Sequence, residues 1–185
     1  MKKRAFTLIE TLVVIAIIGL ITPIVFTIIF IITREQMKIS RLILVKRQGD
    51  NILNNISFTI KNYAYSIHSA SPPDETNEVC NNLGSYSSSL IFKNNNDNSW
   101  FNFFSNNNAI SSYSSTLNSN LSLNTQSVLV NNFSISCQKK SLYSPAVVSL
   151  SFDICYKTRS NNCTSQSPEE TALLHYQTNI KLRNY

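Results

Sequence analysis

The stretch Lys2-Lys3-Arg4-Ala5-Phe6-Thr7-Leu8-Ile9-Glu10-Thr11-Leu12-Val13-Val14-Ile15-Ala16-Ile17-Ile18-Gly19 sets three cations against an apolar run that continues to Ile32, with Glu10 as its one ionisable side chain. Residues 12–32 carry no charge and are interrupted by Gly19, Thr22, Pro23 and Thr27 alone. At about 1.5 Å per helical residue the run covers about 30 Å of hydrocarbon, long enough to cross a bilayer. A cleaved secretory signal has a shorter apolar core followed by a small-residue site, whereas this run passes into Thr33-Arg34-Glu35-Gln36. Within such a span a carboxylate costs about 2.5 to 3.5 kcal/mol at the helix centre and is normally kept for a partner. The residue type alone leaves open that Glu10 stays hydrated near the membrane interface.

Outside this run the chain of 185 residues is poor in charge, at 14%, and its formal charge of +6 is unevenly placed. Lys2, Lys3 and Arg4 precede the span, and Arg34, Lys38, Arg41, Lys46, Arg47 and Lys61 follow it against Glu35 and Asp50. Beyond residue 70 acidic and basic side chains balance, so the basic excess flanks a membrane segment and gives nucleic-acid binding no support. With three glycines, and neither G-x-G-x-x-G nor G-x-x-x-x-G-K-[ST], the usual phosphate-cradling loops are missing. His68 and His175 are the only histidines, and H-E-x-x-H, C-x-x-C and G-x-S-x-G do not occur. The expectation is a protein without catalytic residues, metal site or cofactor.

The basic leader joined to Phe6-Thr7-Leu8-Ile9-Glu10 resembles the class III signal of the type IV filament superfamily, which includes type IV pilins and the pseudopilins of type II secretion and competence. The resemblance implies that a prepilin peptidase cuts between Ala5 and Phe6 and methylates Phe6. It implies further that Glu10 neutralises the N-terminal amine of a neighbouring subunit in a filament. Gly19 and Pro23 lower helix propensity by about 1 and 3 kcal/mol in a soluble helix, which makes them candidates for local melting during assembly or for a simple kink. Ala5 stands where the family usually has glycine, and Pro23 falls about one turn before the family's usual proline. Implied partners are other pilin or pseudopilin subunits through the N-terminal helix, the prepilin peptidase, an inner-membrane assembly platform, and membrane lipid before assembly.

Four segments are expected: a leader at 1–5, a transmembrane and assembly helix at 6–32, an amphipathic stem helix at 33–70 and a β-rich head at 71–185. The stem rests on Gly49, Ile52, Leu53, Ile56, Ile60, Tyr63 and Ile67, which recur at three- and four-residue spacings, and Pro72-Pro73 stops it. A helix to about residue 69 would run about 95 Å. In the head, Val148, Leu150, Phe152, Ile154 and Tyr156 alternate with polar residues, as do Leu174, Tyr176, Thr178, Ile180 and Leu182. Val128 and Val130 fall out of register with Phe133 and Ile135, so Asn131-Asn132 predicts a bulge. Leu90-Ile91-Phe92 is a weaker strand, Trp100-Phe101-Asn102-Phe103-Phe104 reads as core, and both histidines are expected at exposed stem and strand positions. The fold class is α+β, a pilin-like lollipop with a long helix on an antiparallel sheet.

Cys80, Cys137, Cys155 and Cys163 favour a head outside the cytoplasm and the N-terminus inside, although the charge count across the span is higher on the head side. In a hairpin of their two strands, Cys137 would lie near the turn and Cys155 at the far end, too distant to bond. Cys80 with Cys137 and Cys155 with Cys163 are the expected pairs, with free thiols the other reading. The succession of strands ending in Thr178-Asn179-Ile180-Lys181-Leu182-Arg183-Asn184 resembles W-type minor pilins and J-type minor pseudopilins. The resemblances imply a minor filament subunit, located in the cytoplasmic membrane and then in a surface or periplasmic filament. A single-pass receptor or adhesin that does not polymerise is the alternative.

Overall fold

The computed structural model describes residues 7–94, 97–158, 161–163 and 171–183. One helix, α1 (Leu8–Tyr63), runs through all of the apolar span and most of the stem. Nine strands follow: β1 (Ala64–His68), β2 (Gly84–Ser87), β3 (Ile91–Asn94), β4 (Trp100–Asn106), β5 (Ala109–Ser114), β6 (Ser119–Ser122), β7 (Val128–Lys139), β8 (Val147–Tyr156) and β9 (Leu173–Lys181). They form two sheets whose strand pairs are antiparallel throughout, one in the order β1-β3-β4-β5-β6 and the other β2-β7-β8-β9. A long helix packed at its outer half on antiparallel sheets is the α+β lollipop expected from the sequence.

The stem helix is shorter than expected. Instead of reaching residue 70, α1 closes its last turn with the Ala64 N–H on the Ile60 carbonyl, and Ala64 is already extended (φ −74°, ψ 123°). Residues 64–68 pair with β3, from Ala64↔Asn94 to His68↔Ile91, and belong to the head. Ile67 explains the difference: it continues the helical stripe on paper, yet it is fully buried from a strand, where its β-branched side chain is equally at home. His68 is likewise not an exposed stem residue. It is 4% exposed, with Nε2 2.8 Å from the Ser66 hydroxyl and Nδ1 2.8 Å from Asn77 Oδ1.

Packing of stem on head centres on Gly49. Val45, Ile52, Ile56 and Ile60 are fully buried against the sheets, and at Gly49 the ring of Tyr176 on β9 lies across the helix. A Cβ at residue 49 would stand 2.5 Å from the ring Cζ and 2.8 Å from the hydroxyl oxygen, so no larger residue allows this approach. The ring stacks on Phe152 (5.2 Å, 9° between planes), and its hydroxyl lies 3.0 Å from both the Lys46 carbonyl and Asp50 Oδ1.

Alternation in β8 buries Val148, Leu150, Phe152 and Ile154 towards the helix and leaves Ser149, Ser151 and Asp153 on the outer face. Pairing of β7 with β8 jumps from Asn131↔Asp153 to Ser134↔Ser151, a bulge at the expected place. Asn132 takes a positive φ of 52°, and its amide donates to Asp153 Oδ2 (2.6 Å). His175 and Asn132, both hydrogen-bonded to it, hold the Asp153 carboxyl below the usual carboxylate range. In β4 the alternation divides the aromatic run, with Phe101 and Phe103 in the core and Trp100 and Phe104 half-buried on the other face.

Cys80 is bonded to Cys137, on β7, and Cys155, on β8, to Cys163. Cys137 faces Val148 near the β7–β8 turn and Cys155 faces Leu129 at the far end, so the hairpin keeps these two apart. Loop closure makes the two bonds unequal, because the first spans 57 residues and the second eight. Replacing Cys80 and Cys137 with serine should cost about 4 kcal/mol, and replacing Cys155 and Cys163 about 2.5 kcal/mol, on the chain-entropy expression. Denaturant midpoints of the two double variants check that order.

Tyr176 gives a second expectation. Burial, and then the hydrogen bond and charge of Asp50, push its phenol from 10.0 up to about 12. The raised value means that its contribution is whole below about pH 10 and disappears as pH rises through about 12. Tyr176→Phe should cost about 1 kcal/mol, lowering Tm by about 2 to 4 °C, and should remove the loss of stability between pH 10 and 12. Thermal melts of parent and variant across that range test both.

Candidate functional site: the uncovered N-terminal helix

From Leu8 to Ile32 no side chain is buried, and eighteen large apolar residues are 46% to 82% exposed. The sequence decides this, since Leu, Ile, Val and Phe fill all sides of the helix and leave no polar face to turn to water. By length and composition it is the one described helix able to cross a membrane, with a mean hydropathy of 2.9 over its most apolar window. The four threonines of residues 11–33 donate their hydroxyls to backbone carbonyls: Thr11 to Leu8, Thr22 to Ile18, Thr27 to Pro23 and Thr33 to Ile29, at 2.6 to 2.9 Å. No threonine hydroxyl in the span is left seeking water.

Gly19 and Pro23 stand four residues apart, so Pro23 lacks the N–H that would bond the Gly19 carbonyl. The helix nevertheless continues through both residues. A Cβ at residue 19 would meet nothing within 4 Å, so the open side there is free for another helix or lipid.

Thr7 and Glu10 form a reciprocal cap at the helix start. Glu10 Oε2 accepts from the Thr7 N–H and the Thr7 hydroxyl, each at 2.9 Å, while the Glu10 N–H donates to Thr7 Oγ1 at 3.4 Å. This is a T-x-x-E capping box, a pattern legible in Thr7-Leu8-Ile9-Glu10 that the reading of Glu10 as an intermolecular partner passed over. The carboxylate therefore faces the N-terminal end of the helix. Its second oxygen, Oε1, makes no hydrogen bond among the described residues. Ala5 and Phe6, the expected cleavage pair, lie outside the described residues.

On the head side of the span three of the six cations between residues 34 and 61 are engaged locally. The Arg34 guanidinium lies 4.3 Å from the Phe30 ring centre, that of Arg41 lies 5.1 Å from Tyr156, and Lys46 stands 3.9 Å from Asp50 in an exposed, weak ion pair. Burial by the head starts at about Arg41 and is complete at Val45, so the functional surface and the packed stem divide α1 between them.

Residues 1–22 match the family model of the prokaryotic N-terminal methylation motif. Neither a curated protein nor a solved structure matches the chain. The matched segment contains the basic leader, Ala5, Phe6, Glu10 and Gly19, and it opens the same helix that stands uncovered beyond the head. The methylation-motif match over residues 1–22, an apolar N-terminal helix and a β-rich head packed on the helix's outer half together support a type IV pilin-like protein.

Proposed function

We propose that the protein is a minor pilin or pseudopilin, a structural subunit that primes or caps a type IV pilus or a type II secretion-like pseudopilus. The carrying observation is the methylation motif over residues 1–22 on a helix whose eighteen large apolar side chains from Leu8 to Ile32 are all exposed. Lipid covers such a surface in a single subunit, and the helices of other pilin subunits cover it in a filament. Before assembly the chain resides in the cytoplasmic membrane, N-terminus inside and head outside, a placement supported by two disulfides in the head. The prepilin peptidase and an inner-membrane assembly platform are its transient partners. The succession of sequence segments ending in Thr178-Asn179-Ile180-Lys181-Leu182-Arg183-Asn184, which resembles that of W-type and J-type minor subunits, supports a minor role.

One observation favours a rival, a single-pass receptor or adhesin that does not polymerise: the capping box gives Glu10 a use within its own helix. Substitutions at the two residues of the cap separate the readings. Glu10→Ala removes the carboxylate with its half of the capping box and keeps the backbone N–H of residue 10 on Thr7 Oγ1, and an amine left unpaired in a bundle of apolar helices costs about 3 to 5 kcal/mol. Membrane level and disulfides should stay normal while the protein disappears from sheared filaments. Thr7→Ala weakens the cap by about 1 kcal/mol but keeps the carboxylate, so filaments should persist. Equal filament yield from parent and Glu10→Ala would favour the receptor.

Processing is the second expectation. In cells with an active prepilin peptidase, intact-mass measurement of the membrane-extracted protein should give a chain starting at Phe6 with one added methyl group. A chain still starting at Met1 would remove the pilin reading.

A further inference from the structure

The two sheets separate beside the β7 bulge. β3 covers β4 only from Ile91↔Asn102 to Lys93↔Trp100, so residues 103–106 have β5 on one edge and, among the described residues, no strand on the other. β2 pairs with β7 only from Gly84↔Lys139 to Ser87↔Ser136, which leaves residues 133–135 without a ladder partner among the described residues on the edge opposite β8. Between these edges lies a cavity of about 430 Å³, lined by residues 87–89, 103–105 and 133–135. At one end the gap closes where the Val130 N–H donates to the Asn108 carbonyl (2.7 Å).

The lining is made of consecutive residues. Neighbours along a strand point to opposite faces, so three in a row cannot all turn their side chains into one cavity. A cavity touched by three successive residues on each of two strands lies against the strand edges, where every second residue presents an N–H and a C=O. None of the lining side chains is ionisable, and Phe103, Phe104, Phe133 and Ile135 share the lining with five serines. Exposed edges are ordinarily blunted by charge, proline or a bulge; residues 103–106 have none of these, and on β7 the bulge at residues 131–134 is the one such device, with no charge or proline at residues 132–135.

We infer that this cavity is a strand-addition site, which takes an extended peptide segment with small uncharged side chains from another protein and pairs it with β4 and β7 at once. Walls three residues long match about 10 Å of extended chain, one short strand. Main-chain hydrogen bonds to the two edges hold the segment, and the phenyl and hydroxyl walls select alternate small side chains. A charged segment would lose its hydration there without gaining a counter-ion. The site is independent of the filament reading, since a receptor head would carry it equally.

The test uses the isotopically labelled full chain in detergent micelles and the blocked peptide Ac-Ser-Val-Ser-Val-Ser-NH2. The peptide should shift amide resonances at residues 103–106 and 132–135 and slow their exchange about tenfold or more, while amides in α1 stay unchanged. Alternate N-methylation of the peptide should abolish the effect, because it removes the donors. Ser88→Trp should weaken binding about tenfold, since residue 88 lies in the β2–β3 connection, outside both ladders, and its indole would fill the cavity. An unchanged α1 spectrum checks that this variant folds. Absence of shifts at millimolar peptide, or equal shifts from the N-methylated peptide or from cellotetraose, would overturn the proposal.

Discussion

Eighteen large apolar side chains standing outward from one end of a helix are the constraint on which the rest of the molecule depends. Leaving each in water forgoes about 1.5 to 3 kcal/mol, a total of tens of kcal/mol against a folding stability of about 5 to 15 kcal/mol. No rearrangement of the head could cover that surface, because the head's own core is already filled by residues of both sheets and by α1 beyond Val45. Cover has to come from lipid or from other helices. The low charge of the span, the back-bonded threonines and the cations at its two flanks are what such an environment demands.

The outer part of the same helix answers a different demand. Here α1 has a solvent face and a buried stripe, and the approach to β9 depends on the missing side chain of Gly49. Tyr176 fills the space with a ring stacked on Phe152 and a hydroxyl bonded to the helix backbone, so one contact couples helix, β8 and β9. That contact fixes how the head sits on the stem. Beside it the helix is held to the head by buried Val45, Ile52, Ile56 and Ile60 and by the direct passage of Tyr63 into Ala64 of β1.

Much of this was legible in the sequence, for reasons particular residues make plain. The span needed only length and absence of charge, and β8 and β9 showed because one face is buried and the other wet. The bulge was readable because Val128 and Val130 break phase with Ile135 across Asn131-Asn132. The helix end was not, since Ile67 satisfies a helical and a strand period alike and only pairing with β3 decides between them. β2, β5 and β6 are short, serine-rich and mostly unburied, so no periodicity announces them; their partners supply the order. At the candidate site, Glu10 stood out for its charge while its cap with Thr7 went unread, although T-x-x-E was in plain view.

The cap itself bears on what Glu10 is for. Holding the Thr7 N–H and hydroxyl at a helix start contributes about 1 kcal/mol, whereas a carboxylate in a membrane span costs about 2.5 to 3.5 kcal/mol at its centre. The local contact alone therefore falls short at depth and balances only where the cost is low, near the interface. The two oxygens divide accordingly: Oε2 is engaged by Thr7, and Oε1 accepts no hydrogen bond among the described residues. A positive group reaching Oε1 from outside the helix would remove the deficit without breaking the cap, because the two contacts use different lone pairs. The cap therefore leaves the carboxylate able to make the intermolecular contact that the proposed filament role requires.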